Sequence, residues 1–162
     1  MTSLDATMIA ACPRGYAARH FPRKVVNVQL DPSAFLADPE LIQALEKRAT
    51  PVSCGEDRIL FRRGDLPVGL FILRAGEAAI SMDSGDDAVS CLATAGSLLG
   101  LPGVIANQPY SLTVVARKGA NVGFVSKQEF DTLMRTELAL MVKILQVLAA
   151  EVRSARLAIT QR

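Results

Sequence analysis

Between residues 52 and 125 the chain breaks into short apolar runs separated by glycines, with Gly55, Gly64, Gly69, Gly76, Gly96 and Gly100 at the breaks. Runs this short, ended this regularly, are too brief for packed helices and suit an antiparallel barrel or jelly roll. Ala78 to Met82, the polar turn Asp83 to Asp87, and Ala88 to Ala93 read as one hairpin. Leu112 to Ala116 and Val122 to Val125 read as a second, across Arg117-Lys118-Gly119-Ala120. The acidic turn lacks the twelve-residue loop and closing glutamate of an EF-hand, so it reads as a solvated turn.

Helices flank this segment. Asp38 stands as N-cap with Pro39 in the first turn and Leu41, Ile42 and Leu45 on one face, and that helix is expected to close near Thr50-Pro51. Ser126 and Glu129 have the spacing of a capping box, opening a helix that carries Phe130 and Leu133. Further on, Leu138, Met141, Leu145, Leu148, Val152, Ala155 and Ile159 step by three and four without interruption, a heptad seam. Two such helices are expected to pair, with Glu151 and Arg156 at the flanking positions that form interchain ion pairs. Leu140, Val142, Ile144 and Val147 add apolar surface on other sides, so the helix needs the β-domain on one face and a second copy of the chain on the other. The organisation expected is an irregular extension over 1–37, a β-domain over 38–135 and a C-terminal dimerisation helix over 136–162.

Composition excludes more than it selects. With 162 residues, half of them hydrophobic, the chain suits a globular domain with a sizeable core. Its net charge of +2 comes from interspersed signs rather than a basic face, which argues against direct DNA binding. Arg14, Arg19, Arg23 and Lys24 read as part of a solvated arm that Tyr16 and Phe21 could anchor. The chain has no apolar run near 18 residues and no secretory signal order, so a cytoplasmic location without a membrane span is expected. Cys12, Cys54 and Cys91 are far apart and read as reduced thiols, and His20 is a lone loop histidine, so neither a metal site, a resident cofactor nor a catalytic set is expected.

Gly55-Glu56, Ile59 to Asp65, Gly69 to Leu73, Ala75-Gly76-Glu77 and Ala95 to Gly100, in this order and spacing, resemble the cyclic nucleotide-binding domain family, typified by the sensor half of the catabolite activator protein. The resemblance covers roughly residues 38 to 159. It implies a mainly β fold with flanking α: an antiparallel β jelly-roll barrel (a double-stranded β-helix) with an N-terminal helix and a long C-terminal dimerisation helix. Relatives that regulate transcription continue into a winged helix-turn-helix, and only Thr160 to Arg162 follow the seam here, so an output through a partner or through the dimer is expected.

The family's phosphate-binding cassette carries Gly-Glu and, some ten residues later, Arg-Ser or Arg-Thr. Here Leu101 falls on the Glu position and Tyr110 on the Arg position, while Gly100, Ser111 and Thr113 are kept. Leucine offers no acceptor to a ribose hydroxyl, and a tyrosine offers one neutral donor where a guanidinium offers five. At about 1.5–3 kcal/mol per charge-assisted bond, the two losses cost a cyclic nucleotide about 3–6 kcal/mol. The residues expected to line any ligand site are Gly100, Leu101, Pro102, Gly103, Tyr110, Ser111, Leu112 and Thr113, with Arg153 and Ser154 where the long helix of the family approaches the base. Leu98, Leu99, Leu101, Val104 and Ile105 are the side chains expected to fill the barrel. The function expected is non-enzymatic regulation or sensing by a homodimer with a degenerate pocket. A ligand-free scaffold for an effector protein, and a cyclic nucleotide binder with substituted contacts, are the alternatives.

Overall fold

A computed structural model describes residues 29–82 and 90–160. Eight strands form two four-stranded antiparallel sheets, one ordered β1-β8-β3-β6 and the other β2-β7-β4-β5. The first comprises β1 (Thr50–Val52), β8 (Asn121–Ser126), β3 (Gly69–Ala75) and β6 (Ser97–Leu99). The second comprises β2 (Arg58–Phe61), β7 (Thr113–Ala116), β4 (Ala78–Ser81) and β5 (Cys91–Ala93). Helices α1 (Pro39–Glu46), α2 (Leu101–Ala106), α3 (Lys127–Thr136) and α4 (Leu140–Thr160) flank the sheets. The β-roll expected from the sequence is therefore present as two facing sheets rather than as a closed barrel. The N-terminal arm with His20, the acidic turn and Cys12 lie outside the described residues.

Alternation along β3 explains the division of the core. Phe71 and Leu73 point between the sheets, joining Phe61, Ile80, Leu99, Val114 and Val122. Leu70 and Ile72 point the other way, against Leu41 and Leu45 of α1, Phe130 and Leu133 of α3, and Leu140, Ile144 and Val147 of α4. A strand covered on both faces has to be apolar throughout, which is why Gly69 to Leu73 contains no polar residue.

The expected caps form. Asp38 accepts from Glu40 N at 2.8 Å and also receives Lys143 of α4 at 3.0 Å, tying two helices together. Ser126 accepts from Glu129 N at 3.2 Å, but Glu129 turns to Arg48 at 2.7 Å instead of returning to the cap, so only half of the capping box is made. Arg74 clamps α1 to the first sheet by a two-pronged bond to Glu46, at 2.9 and 2.7 Å. The first hairpin pairs as expected, Ala78 opposite Ala93 and Ile80 opposite Cys91.

The second hairpin does not exist. β7 pairs with β2 and β4, whereas β8 pairs with β1 and β3, so the turn at Arg117–Ala120 carries the chain from one sheet to the other. Helix α1 stops at Glu46, and Thr50-Pro51 already belongs to β1. Burial holds the Cys91 thiol up at about 11, leaving it a protonated, inert part of the core.

The long helix carries two stripes. Leu140, Ile144, Val147, Glu151, Ser154 and Ala158 face the rest of the domain, and all but Glu151 are buried. On the heptad seam Met141, Leu145 and Val152 are 42%, 58% and 57% exposed, and Leu148 and Ala155 are partly covered. Leu138 lies in the turn before α4 rather than in the helix, and the side chain of Ile159 is outside the description.

Candidate ligand pocket

Gly100 ends β6 with φ 88°, a left-handed conformation that sets α2 off at a sharp angle, and Asn107 closes that helix with φ 52°. The chain then returns through Pro109 to Tyr110, whose backbone is bonded in both directions to the β2–β3 loop: its amide to Asp65 O at 2.9 Å and its carbonyl to Gly64 N at 2.8 Å. These bonds aim the tyrosine side chain inward. Its ring stacks on Phe61, with centroids 4.0 Å apart and planes at 24°. A side-chain carbon on Gly100 or on Gly103 would lie 3.1 Å from that ring, so both glycines make room for it.

The Tyr110 hydroxyl is fully engaged. It donates to Gly69 O at 2.6 Å and accepts from Val68 N at 3.1 Å and Gly69 N at 3.3 Å. One donor and two lone pairs are all a phenol has, so nothing remains for a ligand. The residue at the arginine position thus bolts the cassette to the start of β3, a role for Tyr110 different from the ligand contact expected of it. The Thr113 hydroxyl accepts from Arg63 N at 3.0 Å, which ties the start of β7 to the β2–β3 loop.

Leu101 is fully buried, but in the helix-side core with Leu41, Leu45 and Phe130 rather than in the pocket. Leu98 and Val104 follow it there, Ile105 is 43% exposed, and of the five side chains expected to fill the roll only Leu99 does so. What remains between Phe35, Phe61, Leu99, Tyr110, Leu112 and Glu151 is a cavity of about 20 Å³, rimmed by Gly100, Pro102, Gly103 and Ser111. Sites for nucleotide-sized ligands run to about 300 Å³ and more. This cavity has room for about one water-sized group.

Glu151, expected at a flanking position of the helix pair, instead enters this cavity from α4. Its Oε1 is buried and has no hydrogen-bond partner among the described residues. Arg153 and Ser154 sit elsewhere: Arg153 is exposed, and Ser154 Oγ accepts from Asp31 N at 2.8 Å, fastening the N-terminal approach to the helix. The two belong to a separate groove with Asp31 and Leu157. A signal for Glu151 was present in the sequence, because it is the single charged residue in the stripe Leu140, Ile144, Val147, Glu151, Ser154, Ala158.

Burial pushes the Glu151 carboxyl from 4.5 up to about 8. The folded state therefore holds a proton that the unfolded chain has released above its own ordinary value. Stability from this group is intact below about pH 4.5, falls as pH rises, and levels off above about 8. Glu151→Gln should remove that slope, leaving the two proteins nearly equal at pH 4.5 and the variant about 2–4 kcal/mol more stable at pH 9. Urea unfolding at both pH values reads this out, and a variant less stable than wild type at pH 9 contradicts it.

The model of the family described as cyclic nucleotide-binding domain matches residues 51–137, more than half of the chain. This chain belongs to that family. Among solved structures it is similar to the Thermus thermophilus catabolite activator protein, with TM-score 0.65 and 18% identity over 81% of this chain and 62% of that one. It is also similar to the c-di-GMP-responsive global regulator CLP of Xanthomonas campestris, with TM-score 0.62 and 19% identity over 76% of this chain and 62% of the regulator. The N-terminal domain of a transcriptional regulator from Streptomyces coelicolor A3(2) matches with TM-score 0.57 and 17% identity over 82% of this chain and 94% of that domain. The chain spans about three-fifths of the length of the first two regulators. At these identities the likeness is one of fold. Among curated proteins none matches the sequence. Among the described residues no helix is long and apolar enough to cross a membrane, and no cluster of His, Cys, Asp and Glu is arranged to hold a metal ion.

Proposed function

We propose that this chain is a non-enzymatic regulatory module, working as a homodimer, whose cyclic nucleotide pocket has been filled from within and does not bind cyclic AMP or cyclic GMP tightly. The observation that carries this reading is Tyr110, which stands at the family's arginine position with its hydroxyl committed to Gly69 and its ring against Phe61. Among the described residues lining the cavity, a cyclic phosphate meets no guanidinium, little space, and the carboxyl of Glu151. The filled cavity also supports a scaffold that acts through an effector protein, with the β-roll serving as a rigid platform.

The dimer reading is supported by the exposed apolar seam on α4, which lies about 100° around the helix from the stripe that packs on the roll. Leu145→Glu places two carboxylates near each other across a two-fold axis, desolvated and unpaired. Sedimentation should give a dimer for the wild type at micromolar concentration and a monomer for the variant. A wild-type monomer under those conditions removes the homodimer from the proposal. The pocket reading is tested separately by thermal shift with cyclic AMP and cyclic GMP at millimolar concentration, where little or no rise in Tm is expected.

A further inference from the structure

We propose that the residual cavity binds a small organic cation, the ammonium head of a primary amine seated against the Glu151 carboxylate among the rings of Phe35, Phe61 and Tyr110. This rests on the reading that the pocket no longer serves a cyclic phosphate. Three observations point the same way. Among the described residues Glu151 Oε1 is buried with no donor in reach, and a buried polar atom in that state calls for a partner beyond them. Of the two hydroxyls around the cavity, that of Tyr110 is given to Gly69 and that of Ser111 lies at the exposed rim. Among the described residues no basic side chain lines the space, so a cationic ligand can bring a donor that also neutralises the carboxylate.

Size and sign select the ligand class. The cavity of about 20 Å³ accepts a group the size of a water, which an ammonium head matches and a cyclic phosphate exceeds. An anion entering here is repelled by Glu151 once it ionises, whereas a cation gains its attraction and that of the aromatic walls. A short alkyl tail can leave along the half-buried Pro102 and exposed Ser111.

Because burial holds the carboxyl protonated up to about pH 8, the ammonium displaces a proton, which passes to solvent as the ion pair forms. Binding is therefore stronger at pH 9 than at pH 6, and a bound cation lowers the pH at which Glu151 ionises. The remaining lining residues carry no charge, so this dependence belongs to Glu151.

The test compares ethylammonium chloride with sodium chloride at equal ionic strength, on wild type and Glu151→Gln. At pH 9 ethylammonium should raise the wild-type Tm by about 2 °C or more over sodium, with a smaller rise at pH 6 and none in the variant. Carbon-13 NMR of the Glu151 carboxyl should show its titration midpoint falling by about one pH unit when ethylammonium is present. Equal Tm shifts in both proteins, or an unmoved midpoint, overturn the proposal and leave a cavity occupied by water. If the wild type instead binds cyclic AMP tightly, the underlying reading fails as well. Failure of ethylammonium alongside failure of cyclic AMP sinks only the cation site.

Discussion

Tyr110→Ala is expected to lower the stability of the folded chain by about 3–5 kcal/mol, and Tyr110→Phe by about 1–2 kcal/mol. The alanine variant loses a ring that is 3% exposed and stacked on Phe61, and it leaves a void beside Gly100 and Gly103, whose lack of side chains exists to admit that ring. The phenylalanine variant keeps the packing and removes only the bonds to Gly69 and Val68. The difference between the two separates the ring's share from the hydroxyl's. Urea denaturation of the three proteins checks the order. A Tyr110→Phe variant as stable as wild type means that the hydroxyl does not bolt the cassette to β3. A Tyr110→Ala variant within about 1 kcal/mol of wild type means that the ring is not part of the core.

Restoring the family's two charged residues at their sequence positions should fail. Leu101→Glu with Tyr110→Arg supplies both, yet Leu101 is fully buried among Leu41, Leu45 and Phe130, on the helix side of the first sheet. A carboxylate there has no partner and loses the packing of a leucine, a combined loss of about 4 kcal/mol or more. We expect that variant to be largely unfolded by circular dichroism. Tyr110→Arg with Glu151→Gln should do better, because it supplies the guanidinium fork and removes the one acid in the cavity. It is expected to bind cyclic AMP at least about tenfold more tightly than wild type, a gain of about 1.4 kcal/mol. Fluorescence titration measures both. A folded Leu101→Glu, Tyr110→Arg protein that binds cyclic AMP contradicts the position found for Leu101.

What could be read from the sequence was what local chemistry decides. Asp38 and Ser126 announce their helices because a side-chain acceptor beside an unpaired amide acts within one turn. The β4–β5 hairpin is legible because its strands are neighbours in sequence and in space. The β7–β8 connection has the same local look, with Gly119 in its turn, but partners for these strands are chosen by the folding of the whole roll. Leu101 was misplaced for a similar reason: aligned spacing fixes which position it holds, while the left-handed Gly100 fixes which way α2 turns it. Glu151 was hidden by the heptad seam. Two stripes run along α4 with the same three-and-four stepping, and only contact with the sheets separates the inward one.

Whether the unmodified chain binds a cyclic nucleotide distinguishes a filled pocket from a working one. Isothermal titration of cyclic AMP into the wild type, at pH 7 and physiological salt, should give no saturable heat at micromolar concentrations. Saturable binding with a Kd in the low micromolar range would contradict a filled pocket, because Tyr110 would then have to leave Gly69 and Phe61 and open the pocket that it fills.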